Sequence, residues 1–289
     1  MLNFRMDRIA SIQFNKIRKY FANESKVQIP ILMYHSISNE NEYNIHPYYR
    51  LNTSPKMFKE HMNYLKLNNY SVINLTEANE YVKRQIQKNK RYVVITFDDG
   101  YKDFYTDAFP ILNSYGYIAH VYLPTAFIGS RFHNKECLNW DEVLELGKYG
   151  NQFGSHTVSH PDLIKLKKDE IISEILESKK EIESKTGRII DSFAYPYAFP
   201  SERKKFIGFL GESLKKYGYS NCVTTQVGTI KDNKKHFFLK RIPVNSFDDL
   251  MFFQAKLEGS YNWINLLQFT SRQFKHEFAK LYREQNNKN

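Results

Sequence analysis

Tyr92-Val93-Val94-Ile95-Thr96-Phe97, followed at once by Asp98-Asp99-Gly100, is the stretch on which the fold turns. Six β-forming residues without a charge read as a strand buried on both faces, and such strands belong to parallel sheets covered by helices. Upstream, Pro30 to His35 reads as a second buried strand. Ser54 and Pro55 open a helix with Phe58, Met62 and Leu65 on one face, Val72-Ile73 is a short strand, and Thr76 caps the next helix. Downstream, a helix ends at Gly116 and Ile118 to Leu123 is strand. A loop then leads to a short helix after Trp140, and Gln152 to Ser155 is strand again. Asp169 to Lys185 is a helix with Ile171, Ile175 and Ile182 at helical spacing, ended by Gly187. Ile189 to Ala194 is strand, Ser201 to Tyr217 helix, and strands follow near 220–224 and 238–243. Strand–helix alternation repeated six or more times predicts an α/β fold, a (β/α) barrel of seven or eight strands, with a doubly wound open sheet as the alternative.

The 289 residues divide into a basic N-terminal helical extension (1–28), one catalytic-sized domain (29–260) and a polar, basic C-terminal helix or tail (261–289) that frays near Asn286-Asn287. Hydrophobic residues at 42% and charged residues at 25% exclude wholesale disorder. The net charge of +11 favours anionic partners: nucleic acid, an anionic membrane face or an acidic glycan. The basic residues form no stripe interleaved with aromatics, so no specific nucleic-acid partner is expected. Cys137 and Cys222 make no disulfide framework; they fit a reducing compartment or core packing, with a single bridge the alternative. No apolar run approaches the roughly 18 residues of a membrane span. Arg5, Arg8, Lys16, Arg18 and Lys19 interrupt any leader-like segment, so the expectation is a location in the cytoplasm or on the inner membrane face. Residues 3–21 read as a weak basic amphipathic helix, docked on the domain in preference to lying on an anionic bilayer.

Chemistry gathers where strands run out. His35 closes the first strand, Asp98-Asp99-Gly100 the third, His156 the fifth, and Tyr195-Pro196-Tyr197 the sixth. Active sites of α/β folds are built at such carboxyl ends. Gly100 lets the chain bend so that both aspartates address one pocket, and a cation there relieves their repulsion; a solvated Asp-Asp-Gly turn is the plainer reading. His156 and His160, four apart, fall on one face of a helical turn, in reach of one transition metal. With a carboxylate from a neighbouring strand they make a two-histidine, one-carboxylate set with positions open for water and substrate. His46, His61, His120, His133, His236 and His276 lack such company and read as structural or surface groups. Phosphate-loop, dinucleotide and nucleophile-elbow motifs are absent.

Thr96-Phe97-Asp98-Asp99-Gly100-Tyr101 together with Ser155-His156-Thr157-Val158-Ser159-His160 resembles the polysaccharide deacetylases, the NodB-homology group of carbohydrate esterase family 4, over about residues 29–260. The resemblance implies a distorted, NodB-type barrel and a metal-dependent hydrolase that removes N-acetyl groups from amino-sugar glycans. It implies Asp98 as general base, Asp99, His156 and His160 as ligands of one divalent metal, zinc foremost with nickel, cobalt or iron compatible, and the Tyr197 N–H as an oxyanion donor. The family's arginine two residues before Pro196 is replaced by Ala194, and Arg241 is the candidate to orient the base instead. The late leucine–histidine motif is absent too. Leu32-Met33-Tyr34-His35 instead resembles the circularly permuted poly-N-acetylglucosamine deacetylases, which implies His35 as general acid. Tyr34, Tyr101, Trp140 and Tyr195 are candidate sugar-stacking walls. The missing arginine leaves a non-catalytic glycan-binding relic as one alternative. The positive charge makes a lipid-linked sugar at the inner membrane face another.

Overall fold

The computed structural model describes residues 5–21, 27–42, 44–86, 90–231 and 237–270. Eight main strands are set in it: β1 (Ile31–Tyr34), β2 (Tyr70–Val72), β3 (Arg91–Phe97), β4 (His120–Leu123), β5 (Gln152–Ser155), β6 (Ser192–Ala194), β7 (Asn221–Val227) and β8 (Phe238–Pro243). Seven of them close a parallel barrel in the order β1-β8-β7-β6-β5-β4-β3, sealed by pairing of β3 with β1, while β2 adds to the outer edge of β3. The expected (β/α) barrel is therefore the observed one, and the open sheet is excluded by the β1–β3 seam. Closure sets β1 between β3 and β8, with Tyr34 level with Phe97 and Met33 level with Pro243.

Alternation along β3 builds two apolar layers. Tyr92 and Val94 join Ile31, Tyr122, Ala194, Val223 and Leu239 in one cluster. Val93, Ile95 and Phe97 join the helix-facing cluster with Phe58, Met62, Ile175 and Leu214. Asp98 continues the inward parity of Val94 and Thr96, which sets it over the barrel mouth.

The helices are α1 (Met6–Phe21), α2 (Pro55–Leu67), α3 (Leu75–Arg84), α4 (Phe109–Ser114, entered through a π-turn at Phe104–Ala108), α5 (Trp140–Lys148), α6 (Lys168–Thr186), α7 (Lys204–Lys216) and α8 (Leu250–Leu257). The α2 start follows the expectation: the Ser54 side chain accepts from the Met57 N–H with Pro55 at the first position. The α3 start does not. Asn74, not Thr76, is its cap, in a reciprocal box with Glu77. Both cysteines are buried free thiols, so no 137–222 bridge forms. α1 lies against α8, tied by Arg8 to Asp249 and by Asn15 to Glu258 at 2.9 Å. No helix among the described residues is long and apolar enough to cross a membrane. His236, His276 and the expected fraying at Asn286-Asn287 lie outside the described residues.

Candidate active site

Four strand ends deliver the site. Asp98 follows β3 and is 2% exposed. The next residue, Asp99, takes φ +70° and Gly100 φ +59°, so the turn that aims both carboxylates begins on Asp99 itself rather than on the glycine alone. A non-glycine residue in that conformation is strained and persists where its surroundings over-determine it. Here Lys102 N–H donates to Glu136 and Leu138 N–H to the Gly100 carbonyl, pinning the turn.

His156 and His160 do not share a helical turn, as their spacing predicted. They sit on an irregular loop after β5 in which Thr157 (φ +70°) and His160 (φ +52°) are left-handed. Glu174 of α6 holds that loop, accepting from the N–H groups of Val158 (2.7 Å) and Ser159 (2.9 Å) and from the Ser159 hydroxyl (2.6 Å). Nothing in the sequence distinguishes Glu174 from its helix neighbours, and it was not foreseen. Its signal is the pair of unpaired amides that a left-handed loop necessarily exposes.

The three expected ligands converge. His156 Nε2 and His160 Nε2 lie 3.5 Å and 3.4 Å from the same Asp99 oxygen, Oδ1, and one potential ligand atom from each residue falls within 4.8 Å of the others. His156 Nδ1 donates to the Ala194 carbonyl at the end of β6 at 2.8 Å, which fixes the ring so that Nε2 faces Asp99. Asp99 Oδ1 is buried and has no hydrogen-bond partner among the described residues. An orphaned carboxylate oxygen between two imidazole nitrogens is the donor set of a divalent metal. Burial pushes the Asp99 carboxyl up, but contact with His156 and the nearby imidazoles outweigh it and hold the group well below the usual carboxylate range. Burial and the neighbouring His156 push His160 down to about 3, so its ring is neutral at pH 7.

Asp98 is gripped by Arg241 of β8. Nη1 donates to Oδ1 and Nη2 to Oδ2, both at 2.6 Å, while Nη1 also reaches Thr96 Oγ1 and Nε the Thr224 carbonyl, each at 3.1 Å. The guanidinium is wholly buried. Burial raises the Asp98 carboxyl, but the charge and hydrogen bonds of Arg241 together with the neighbouring His156 and His35 outweigh it, and the net shift is downward, so Asp98 is ionised. His35, just past β1, places Nε2 4.0 Å from Asp98 Oδ2.

Tyr197 is half exposed, left-handed at φ +55°, and lays its ring against His160 at 4.6 Å between centroids. Tyr101 is buried beside Asp99, its ring stacked on Phe132, which in turn touches His160. Two sugar-wall candidates are corrected. Tyr34 is fully buried, stacked on Phe97 and edge-on to Phe58, with its hydroxyl on His61; it packs the core because its strand position faces the helices. Tyr195 is likewise buried, edge-on to Phe199. Trp140 opens α5 half-buried on the helix-facing core layer. Of the remaining histidines, His46 caps a short 3₁₀ turn, His61 bonds the Asp248 carbonyl, and His120 is buried against Tyr122.

The polysaccharide deacetylase family model matches residues 85–220. Bacillus subtilis YxkH, whose name gives it as a polysaccharide deacetylase, is 30% identical over 226 residues, covering 78% of this chain and 75% of that protein. The Staphylococcus aureus poly-β-1,6-N-acetyl-D-glucosamine N-deacetylase is 25% identical over 232 residues, covering 74% and 78%. The solved structure of the Streptococcus pyogenes deacetylase PplD in complex with acetate shares the fold at a TM-score of 0.70 and 24% identity, covering 82% of this chain and 99% of that one. With the barrel, the site and these likenesses in agreement, the chain belongs to the polysaccharide deacetylase family, hydrolases that cleave carbon–nitrogen bonds outside peptides.

Proposed function

We propose that this chain is a metal-dependent N-deacetylase of an amino-sugar glycan, in which Asp98 is the general base and His35 the general acid. One observation carries the reading: a buried Asp99, His156 and His160 cluster opens beside an aspartate that a buried arginine keeps ionised. A divalent ion held by those three residues, zinc foremost and nickel, cobalt or iron compatible, supplies Lewis acidity toward water and the acetyl carbonyl.

The protein's own groups do the rest. Asp98 takes the proton of the attacking water, a role worth about 10²–10⁴-fold in comparable sites. Arg241 holds the carboxylate plane through both oxygens, which fixes where that proton is received. The Tyr197 N–H donates to the oxygen that gains charge as the carbonyl carbon becomes tetrahedral. His35 gives its proton to the departing sugar nitrogen, the C–N bond breaks, and acetate and a free amine leave. The relic reading drew on alanine at 194; Arg241 on Asp98 fills the role that arginine would have had, so catalysis is favoured.

The named activity of the staphylococcal relative makes an oligomer of β-1,6-linked N-acetylglucosamine the first substrate to try. Asp98→Asn is expected to abolish acetate release while retaining one equivalent of metal, and His156→Ala to lose both. Chelation should lower activity and melting temperature together, and one equivalent of divalent ion should restore both. Full activity of either variant, or of chelated enzyme proven metal-free, overturns the assignment.

A further inference from the structure

α1 is docked inside out. The side of the helix that meets the domain is polar: Ser11 and Asn15 are buried, Ser11 accepting from the Trp263 indole at 3.0 Å and Asn15 from Ser260 at 2.7 Å. Asp7 accepts from the Tyr261 hydroxyl at 2.8 Å, and Arg8 Nε donates to Asp249 at 2.8 Å. Ile12 alone among the large apolar side chains described for α1 turns inward. The opposite side carries Met6, Ile9, Phe14 and Ile17, which are 70%, 42%, 51% and 56% exposed and fall on one stripe at three- and four-residue spacings with Ala10 and Gln13. Trp263, 36% exposed, leads into Leu266 and Leu267, 65% and 52% exposed.

A helix that held to the domain by its apolar stripe would bury these residues. This one spends its polar side on hydrogen bonds and leaves the stripe to water, an arrangement that marks a surface meant for something else. Charge identifies the occupant. On α1, Lys16 (exposed) and Arg18 (partly exposed) flank the stripe on its two sides, and the chain as a whole carries a net charge of +11. Two copies meeting through this face would oppose like charges. An apolar stripe edged by basic residues is instead the signature of a helix lying in the plane of an anionic bilayer, where each basic residue raises affinity by on the order of fivefold.

We propose that α1, with the Trp263–Leu267 segment beside it, is a docking surface for an anionic lipid bilayer, with Met6, Ile9, Phe14 and Ile17 set into the headgroup boundary. This stands apart from the catalytic reading.

The test is co-sedimentation of the full chain with phosphatidylcholine vesicles, and with vesicles containing about a quarter phosphatidylglycerol. The expected result is partition onto the anionic vesicles at least tenfold stronger than onto the neutral ones, weakening as salt rises. The double variant Phe14→Ser/Ile17→Ser, which alters only exposed side chains, should lose at least tenfold of that partition at an unchanged melting temperature. In the unaltered chain, brominated lipid should quench tryptophan emission. A chain that stays in the supernatant with both vesicles overturns the proposal. So does a double variant that binds as tightly as its parent, or bound protein without quenching. A dimer in sedimentation velocity that the same double variant dissolves would assign the surface to a second copy of the chain instead.

Discussion

Replacing Arg241 with methionine separates a positioning role from a merely structural one. The substitution removes two 2.6 Å charge-assisted hydrogen bonds to Asp98 and two further bonds, to Thr96 and Thr224, from a side chain with no solvent exposure. Breaking a buried ion pair from one side costs about 3–5 kcal/mol, because the remaining charge has no partner. For a chain of this size that is a melting-temperature drop on the order of 10 °C. Asp98 answers by taking up a proton more readily, since the cation that offset its burial is gone, so the acid limb of the kcat/KM profile moves to higher pH. A base that is neutral and loosely held forfeits most of its contribution, so kcat should fall by about 10²–10⁴-fold with KM little changed. Arg241→Lys keeps a charge and loses the fork, so its profile should shift less and its kcat fall by an intermediate factor. The assay is acetate release from a soluble N-acetylated oligosaccharide at pH 5–9, with metal content measured on the same samples. Asp98→Asn in the Arg241→Met background should recover stability, because no unpaired charge remains. An Arg241→Met variant that keeps half the activity and an unmoved pH profile would refute the positioning argument, whatever its melting temperature.

Two predictions concern buried positions away from the site. Burial holds His61 and His120 neutral, each with its pKa pushed down to about 4 from 6.5; the unfolded chain protonates them first, so stability should fall as pH drops from 6.5 toward 4, by on the order of 3 kcal/mol for each. His120→Phe should flatten that slope in urea titrations at pH 7, 6 and 5, and an unchanged slope would remove His120 from the account. Gly154→Ala would place a methyl group 2.5 Å from the Tyr122 ring and 2.8 Å from the Ser192 carbonyl, so it should cost about 1–3 kcal/mol, read by the same titration; a neutral result would mean that the ring yields.

Much of this architecture is legible in one sequence because the signals are local. Six β-formers ending in Asp-Asp-Gly, and an isoleucine stripe ending at Gly187, report the period of each element directly. The candidate metal-binding cluster is legible for the same reason: Asp99 and His156 each follow a strand that announces itself, and His160 joins them from the loop beyond. What is hidden depends on the third dimension. Tyr34 and Tyr195 look like pocket aromatics because they border chemistry in sequence, yet strand alternation turns both away from the mouth and into the core. His156 and His160 imply a helix by spacing alone, whereas the loop adopts left-handed steps held by Glu174 and by the amides of Thr125 and Ala126, all on other elements. The inverted docking of α1 is likewise invisible to a helical wheel, which shows two faces without saying which one meets the protein.

Barrel closure explains how Asp98, the proposed base, can be gripped from the far end of the chain. Arg241 stands one residue below the Leu32–Ile242 register, so its backbone lies within the barrel while Asp98 lies above the rim. A short side chain at that depth would not reach the carboxylate; an extended guanidinium does, passing Thr96 on the way. The β1–β3 and β1–β8 seams make the route possible, because they set the first strand between the strand of the base and the strand of the arginine. The same seams bring His35 to within 4.0 Å of Asp98. In a sheet opened at the β1–β3 seam, β1 would be the edge and β8 beside it would lie far from β3, and the alanine at 194 would leave the buried Asp98 without its cation. In a ring the position of a helper along the sequence matters less than its strand's place in the circle. A residue can thus move from the sixth strand to the eighth and still address the same carboxylate, provided that its side chain is long enough and its charge is paired on arrival. That is why Arg241→Lys is the sharper probe: it preserves charge and strand while removing the two-pronged grip that this route requires.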